Sequence, residues 1–227
     1  MPRSDLDGTL YAIENGYEKA CRDRVFDFMV AELGVAPDAA SAEAMWRKEF
    51  QIHNQTLRAL RHGLGLEVDA AKYWAFTRGD PGELLRPNLD ALAVLRSVRK
   101  GVRKIVLTNC AEKQAREALR VLGIEDEFAA VYGADAMGET CKPMREAFER
   151  IWAMDPCGVD PSRCAFFEDS VKNLASAKAH FGTFTVQIAG KTAEEEGSRS
   201  DGFVADAIIS AVTVDEVRRV LPGLWEE

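Results

Sequence analysis

The chain has 227 residues, of which 47% are hydrophobic and 29% charged, and its formal net charge is −8. This composition is typical of a soluble globular protein, and the acidic excess argues against a nucleic-acid binder, which needs clustered Lys and Arg to contact phosphate backbones. No apolar run of about 18 residues and no apolar N-terminal stretch occurs, and the five cysteines form no CxxC pair, so a reduced, cytoplasmic protein without membrane contact is predicted.

The first long segment of the chain, from about Gly16 to Pro87, has a helical texture. Its apolar residues recur at helical spacing, namely Cys21, Val25, Phe28 and Met29, and then Trp46, Phe50, Leu57 and Leu60. Gly34 with Pro37 separates the first helix from the next. The pattern predicts an all-helical segment near the N-terminus.

From Asn88 onward, short apolar runs alternate with amphipathic helical patterns. Strands are predicted at 104–109, 129–133, 164–169, 184–188 and 207–210, with helices at 90–98, 112–122, 143–154 and 171–180. Thr213 and Glu216 form the capping box of a last helix. Alternating strands and helices predict an α/β fold, with a parallel sheet covered on both faces and interrupted early by the helical segment.

Polar residues lie at or just after the carboxyl ends of several predicted strands. In parallel sheets, ligands bind at this edge. The first strand ends in Thr108-Asn109, the loop after the second carries Lys142-Pro143, and the third strand ends in Glu168-Asp169-Ser170. Pro143 suits the first turn of the helix that follows. Two adjacent acids at the end of a buried strand repel each other unless a cation lies beside them.

Asp5 and Asp7, close to the N-terminus, are the best candidates for chemistry. If a strand leads into Asp5, its carboxylate can act as a nucleophile that forms an acyl-phosphate. Gly8 permits the tight turn that separates the two aspartates. Asp7 can then protonate a leaving oxygen and later activate water.

The remaining polar residues suit phosphoryl transfer. Asp169, together with Asp5, offers the hard oxygen ligands that Mg²⁺ prefers. The Thr108 hydroxyl and the Asn109 backbone N–H can donate to phosphate oxygens, and Lys142 supplies a positive charge for the transferring group. Taken alone, Thr108-Asn109 is better explained as an ordinary strand end with a helix cap, and Lys142 as a solvated lysine at a helix start. The adjacent acids Glu168 and Asp169 at the end of a buried strand are harder to explain in this way.

Taken together, the four clusters resemble the four motifs of the haloacid dehalogenase superfamily, in order and across nearly the whole chain. The resemblance implies a Rossmann-like core over 1–13 and 89–227, a helical cap over 14–88, and an aspartyl-phosphate intermediate. It further implies a Mg²⁺ ion held by Asp5, Asp7 and Asp169, with Glu168, Ser170 and Asn173 supporting these ligands.

A looser resemblance is to the pyrimidine 5′-nucleotidase-like branch of that superfamily. It rests on Asp7-Gly-Thr-Leu-Tyr11, on Phe28 through Gly34, on Gly79 through Pro87, on Thr108-Asn-Cys110 and on Glu168-Asp-Ser170 through Asn173. Some relatives have Asn where this chain has Gly8, and Asp where it has Glu168. The branch implies a nucleoside 5′-monophosphate as substrate.

In this superfamily the nucleophile ends the central strand of the sheet, yet only Met1-Pro2-Arg3-Ser4 precedes Asp5. Pro2 cannot donate to a ladder, and Arg3 would bring a charge into the core. Either the true chain begins upstream and the strand is truncated here, or a two-residue ladder suffices, or the strand has been lost. We favour a truncated strand.

The expected function is Mg²⁺-dependent hydrolysis of a small soluble phosphomonoester by a monomer or homodimer. Phosphoglycolate and sugar phosphates stay open as substrates, and a phosphomutase would use the same core residues. Dehalogenation is disfavoured because dehalogenases of this superfamily lack the second acid that Asp7 provides. The alternative from another class is a non-catalytic binding protein with a disabled site.

Overall fold

The computed structural model describes residues 2–189 and 202–226. It divides into two compact units: a core unit with the residues up to Asn15 and from Leu85 onward, and a helical unit, Gly16–Leu84. The sequence prediction placed the helical segment at 14–88. None of the helices in the described ranges is both long and apolar enough to cross a membrane.

Strands and helices alternate along the core unit. The strands within the described ranges are β1 (Pro2–Ser4), β2 (Ile105–Leu107), β3 (Ala130–Tyr132), β4 (Ala165–Glu168), β5 (Phe184–Ile188) and β6 (Ala207–Ile209). The helices, numbered along the whole chain, are α1 (Tyr17–Ala31), α2 (Ala39–His53), α3 (Thr56–Arg58), α4 (Ala70–Arg78), α5 (Leu89–Ser97), α6 (Glu112–Val121), α7 (Ala134–Met137), α8 (Arg145–Met154), α9 (Val171–Phe181) and α10 (Val214–Val220).

The six strands form one parallel sheet in the order β3-β2-β1-β4-β5-β6. Alternate residues of β4 point to opposite faces: Phe166 packs with Phe148 and Leu174 from α8 and α9, whereas Phe167 packs with Val94 and Val217 from α5 and α10. Apolar side chains thus cover the sheet on both faces. The predicted α/β fold with a parallel Rossmann-like sheet is confirmed.

The central strand, β1, is present but only three residues long. Arg3 pairs with Ile105 on one side and Phe166 on the other, and the Asp5 N–H donates to the Phe167 carbonyl at 2.9 Å. Pro2 begins the strand, which is a position where proline is tolerated. The alternative in which this strand has been lost is wrong, because a short ladder holds it between β2 and β4.

Arg3 lies in the core, with 1% of its surface exposed. Its Nη2 donates to Asp155 Oδ2 at 3.0 Å, and its guanidinium lies 3.6 Å from the centre of the Trp152 ring. Arg103 contributes a second cation, 3.5 Å from Asp155 Oδ1. The sequence predicts that Arg3 brings a charge into the core, and the structure confirms it: the charge is buried, and Asp155 at the end of α8 neutralises it.

The helix predicted over 143–154 begins at Arg145, so Pro143 lies in the preceding turn and not in the first helical turn. The backbone of Lys142, just before Pro143, is held by the Asn109 side chain. Its N–H donates to Asn109 Oδ1 at 2.9 Å, and its carbonyl accepts from Asn109 Nδ2 at 3.0 Å. These two bonds fix the backbone of Lys142 in the turn that precedes α8.

The helical unit has an aromatic core. Phe28 of α1 meets Tyr73 of α4 edge to face at 5.6 Å, and Phe26 meets Trp46 of α2 in the same way at 5.6 Å. The Tyr17 hydroxyl donates to the Arg78 carbonyl at 3.0 Å, which joins the first turn of α1 to the end of α4. A π-helical turn, Ala59–Gly63, continues α3.

Candidate active site

Asp5 follows β1 directly and begins a tight turn. The Thr9 and Leu10 N–H groups both donate to the Leu6 carbonyl, at 3.3 and 2.9 Å. Gly8 has a φ of +69°, and a Cβ at this position would lie 2.5 Å from Asp169 Oδ2. Two features of the turn therefore require glycine at position 8: the left-handed backbone and the close approach to the Asp169 carboxylate.

Lys142 is the cation at the centre of the site, with 1% of its surface exposed. Its Nζ lies 2.7 Å from Glu168 Oε2 and 3.0 Å from Asp5 Oδ1, and it donates to the Leu107 carbonyl at 2.8 Å. All three partners stand at or next to the carboxyl ends of β1, β2 and β4. Lys142 thus joins the ends of the three central strands.

The carboxylates around Lys142 carry more negative charge than its single ammonium can balance. Burial disfavours the ammonium of Lys142, but the Asp5 and Glu168 carboxylates outweigh that effect and raise its pKa to about 12. Burial, and then the charge of Glu168, raise the pKa of Asp5 well above its ordinary value, against the opposing effect of Lys142. The pKa of Glu168 is also raised, by burial and by Asp169, with Lys142 opposing. One lysine therefore leaves negative charge uncompensated.

The surplus negative charge suits a divalent cation. Asp5, Glu168 and Asp169 each offer a carboxylate oxygen, and these oxygens lie within 4.8 Å of one another. Asp5 Oδ1 is buried and, among the described residues, has no aligned hydrogen-bond donor, although the Lys142 ammonium lies beside it. A set of carboxylate oxygens is the donor set that Mg²⁺ prefers. The residues present therefore fit a Mg²⁺ ion.

Asp7, predicted as a third metal residue, is not part of this carboxylate group. Its side chain is half-buried, and its Oδ1 accepts a hydrogen bond from the Tyr11 hydroxyl. Tyr11 itself is buried, with 5% of its surface exposed. The turn after β1 thus separates the two aspartates and gives them different partners.

The other predicted residues lie at the same edge of the sheet. Thr108 is buried at the end of β2, and its Oγ1 accepts from the Cys110 N–H at 3.2 Å. Ser170 stands at the N-cap position of α9, and its N–H donates to Glu168 Oε1 at 3.2 Å. Asn173 is buried in the first turn of α9.

Two contacts around the site do not follow from the motifs. The Asn109 side chain clamps the backbone of Lys142, whereas the sequence suggested only a role for its N–H. Asn88, the N-cap of α5, donates from Nδ2 to the Leu10 carbonyl at 2.9 Å. The position of Asn88 just before a helix is the signal for its capping role, but nothing local points to Leu10.

Comparison with known proteins identifies a family for this chain. A family model described as a haloacid dehalogenase-like hydrolase matches residues 4–180. The phosphoglycolate phosphatase of Neisseria gonorrhoeae is 27% identical over 188 residues, which is 77% of this chain and 74% of that protein.

Solved structures share the fold. A phosphatase from Thermococcus onnurineus has a TM-score of 0.63 and 22% identity, covering 98% of this chain and 97% of its own. The L-2-haloacid dehalogenase of Xanthobacter autotrophicus has a TM-score of 0.62 and 18% identity, covering 98% of both chains. The hydrolase YfnB of Bacillus subtilis, solved with bound magnesium, has a TM-score of 0.61 and 15% identity, covering 97% of both.

Proposed function

Since the chain belongs to the haloacid dehalogenase-like hydrolase family, we propose that it is a Mg²⁺-dependent phosphomonoesterase. It hydrolyses a small soluble phosphate ester in two steps, with an aspartyl-phosphate on Asp5 between them. Phosphoglycolate, nucleoside 5′-monophosphates and sugar phosphates are the candidate substrates.

One observation carries the proposal: the two aspartates of the β1 turn differ in burial and in hydrogen-bond and ion-pair partners. Asp5 lies buried against the Lys142 ammonium, at 3.0 Å, and beside two further acids. Asp7 is half-buried and is held by a neutral hydroxyl. A nucleophilic carboxylate must be ionised, which the Lys142 ammonium favours against the opposing effects of burial and Glu168, and which a bound Mg²⁺ would favour further. A residue that acts as acid and then as base must instead exchange its proton readily. The difference between the two environments matches the difference between the two roles.

In the first step an oxygen of the Asp5 carboxylate attacks phosphorus and the bond from phosphorus to the ester oxygen breaks. The departing alkoxide takes a proton from Asp7, so that a neutral alcohol leaves. Asp5 then carries the phosphoryl group as an acyl-phosphate, and Asp7 is a carboxylate.

In the second step a water molecule attacks the phosphorus of the acyl-phosphate. Asp7 takes a proton from that water, the bond from phosphorus to the Asp5 oxygen breaks, and inorganic phosphate leaves. Asp5 returns as a carboxylate and Asp7 is again protonated. Atoms and protons balance over the two steps, and one ester and one water are consumed.

Residues of this chain stabilise the charge that develops on the phosphoryl oxygens. Lys142 brings a buried positive charge to Asp5, and the Thr108 hydroxyl and Asn109 N–H can donate to the oxygens. Mg²⁺, held by Asp5 and Asp169 with Glu168 beside them, would supply further positive charge to the nucleophile and the phosphoryl group.

Asp7 favours ester hydrolysis over dehalogenation. A halide leaves carbon without needing a proton, whereas an alkoxide leaves phosphorus far more readily when an acid protonates it. For the substrate, phosphoglycolate is supported by the relative from Neisseria gonorrhoeae. Nucleoside 5′-monophosphates are supported by the sequence resemblance to the nucleotidase-like branch.

The test is phosphate release from phosphoglycolate, a set of nucleoside 5′-monophosphates and a set of sugar phosphates, with Mg²⁺ and with EDTA. Asp5→Asn should abolish turnover, and Asp126→Asn, at an exposed position of the core unit, should leave it unchanged. Release that persists in Asp5→Asn or in EDTA would contradict the proposed chemistry. A folded wild-type protein that releases phosphate from none of these esters would favour the non-catalytic alternative.

A further inference from the structure

We infer that Tyr11 is a positioning residue for Asp7, which it holds in the orientation needed to pass a proton to the leaving group and take one from water. The inference rests on the proposed function and adds a residue to it. Tyr11 does not contact the phosphoryl group in this scheme. Its hydroxyl donates to Asp7 Oδ1, and in this scheme Oδ2 is the oxygen that exchanges a proton with the substrate.

The Tyr11 hydroxyl is held in place by a rigid piece of backbone. The Leu10 N–H donates to the Leu6 carbonyl at 2.9 Å, and the Leu10 carbonyl accepts from Asn88 Nδ2 at 2.9 Å. Asn88 is fixed in turn, since its N–H donates to the Leu122 carbonyl at 3.0 Å and its Oδ1 accepts from the Ala91 N–H at 3.0 Å. The backbone entering Tyr11 is therefore tied to α5 and to the end of α6.

The ring of Tyr11 is buried, with 5% of its surface exposed, so its orientation is set by packing. Asp7, by contrast, is half-buried and lies at the tip of the turn. A carboxylate in that position would sample several rotamers unless a fixed donor held it. The Tyr11 hydroxyl is such a donor. Its ring is buried and its backbone is hydrogen-bonded to neighbouring elements, so the O–H group approaches Asp7 from one direction.

Fixing one oxygen of Asp7 serves both proposed steps without changing the proton balance. When Asp7 is protonated on Oδ2, Oδ1 is a carbonyl oxygen and accepts from Tyr11. When Asp7 is ionised, Oδ1 accepts the same hydrogen bond. The Tyr11 hydroxyl keeps its proton throughout, and only the proton on Oδ2 moves. Catalytic groups must be held within about 0.5 Å of the productive geometry, which a mobile rotamer does not ensure.

The test uses Tyr11→Phe, which removes only the hydroxyl, and two substrates that differ in their need for an acid. An alkyl phosphate such as phosphoglycolate requires protonation of its leaving oxygen, whereas p-nitrophenyl phosphate releases a stable anion without it. In single-turnover experiments Tyr11→Phe should slow release of the alcohol about 10- to 100-fold. Release of p-nitrophenolate should change less than threefold, and KM for both substrates should stay within about twofold.

A second measurement separates action through Asp7 from general damage. Decay of the phosphoenzyme formed from p-nitrophenyl phosphate needs Asp7 as a base, so Tyr11→Phe should slow this decay. In an Asp7→Asn background, Tyr11→Phe should slow neither release of the alcohol nor decay of the phosphoenzyme any further, because the Asp7 carboxyl through which it acts is gone. Tyr17→Phe, which removes a buried hydroxyl bonded to the Arg78 carbonyl, is the matched control and should leave both steps unchanged.

Selective slowing with the alkyl ester, and no further effect in the Asp7→Asn background, support the inference. Equal slowing with both esters, an additive effect in the Asp7→Asn background, or no slowing at all would overturn it while leaving the phosphatase assignment intact. A wild-type protein without any phosphatase activity would instead overturn the proposed function, and this inference with it.

Discussion

The ammonium of Lys142 lies 3.0 Å from Oδ1 of Asp5, and both side chains are buried. Glu168 shares the same cation, at 2.7 Å. Replacing Lys142 with Met keeps the apolar stem but leaves two buried carboxylates without a positive partner. We expect Lys142→Met to lower the free energy of unfolding by about 3–5 kcal/mol in urea titrations without Mg²⁺.

Two further variants test whether that loss comes from the buried charges. Lys178→Met removes a lysine whose partner, Asp206, is partly exposed, and should cost under about 1 kcal/mol. Adding Glu168→Gln to Lys142→Met removes one of the uncompensated acids and should recover part of the stability. Equal losses for Lys142→Met and Lys178→Met would contradict this account.

A second prediction concerns Mg²⁺ and stability. The carboxylate oxygens of Asp5, Glu168 and Asp169 converge within 4.8 Å, so a bound cation should relieve their repulsion in the folded state alone. At about 100 times its dissociation constant, Mg²⁺ should then stabilise the fold by about 2.7 kcal/mol. Thermal unfolding should show a higher Tm with MgCl₂ than with EDTA.

The control for this effect is the removal of one carboxylate inside the cluster and of one outside it. Asp169→Asn should abolish the rise in Tm, whereas Asp126→Asn should keep it. A rise of the same size in Asp169→Asn would mean that Mg²⁺ acts elsewhere on the protein.

The third prediction concerns Gly8, whose φ is +69° and whose missing Cβ makes room for Asp169. Gly8→Ala should combine backbone strain with displacement of the Asp169 carboxylate. Gly101→Ala is matched for strain, with a φ of +88°, but its Cβ would meet nothing within 4 Å. Both should lose about 1–2 kcal/mol of stability from the left-handed backbone. Only Gly8→Ala should also lose most phosphatase activity, because its Cβ displaces Asp169. Equal activity in the two variants would show that contact between this Cβ and Asp169 does not matter.

The sequence predicted most of the sheet because its strands are locally distinct. The run Ala165-Phe-Phe167 between a turn and two acids has the texture of a buried strand, and the structure places β4 there. The motif residues at the strand ends converge because parallel strands end at the same edge of a sheet. Their roles in catalysis remain predictions.

What the sequence could not predict are partners distant along the chain. Arg3 is acceptable in the central strand because Asp155 pairs with it, 152 residues away. Asn109 holds the backbone of Lys142 through a contact over 33 residues. The hydrogen bond between Tyr11 and Asp7 spans only four residues, but it depends on a turn held by Asn88. Hydrophobic periodicity carries no information about such polar pairs.

The fourth prediction ranks substitutions around Arg3. Asp155 is the only carboxylate that the described part of the chain brings within 4 Å of either Arg3 or Arg103. Asp155→Asn therefore leaves two guanidinium groups without a counter-charge, one of them fully buried, and should cost about 3–5 kcal/mol. Arg3→Met leaves Asp155 with Arg103 and should cost less. Urea unfolding of both variants tests the order, and a larger loss for Arg3→Met would contradict it.

The last prediction concerns acid stability and depends on Asp206. Burial tends to raise the pKa of this carboxyl, but the hydrogen bonds from Lys178 and Thr185 outweigh it and lower the pKa below its ordinary value. A lowered pKa in the folded state contributes stability above the unfolded value of about 3.9, and that contribution disappears as the pH falls through the folded value. Wild type should therefore exceed Asp206→Asn in stability at pH 6, and the difference should shrink below about pH 4. Urea titrations between these pH values measure it, with Asp126→Asn as the control for removing one negative charge. A difference that stays constant down to pH 3 would show that Asp206 acts through packing and not through its charge.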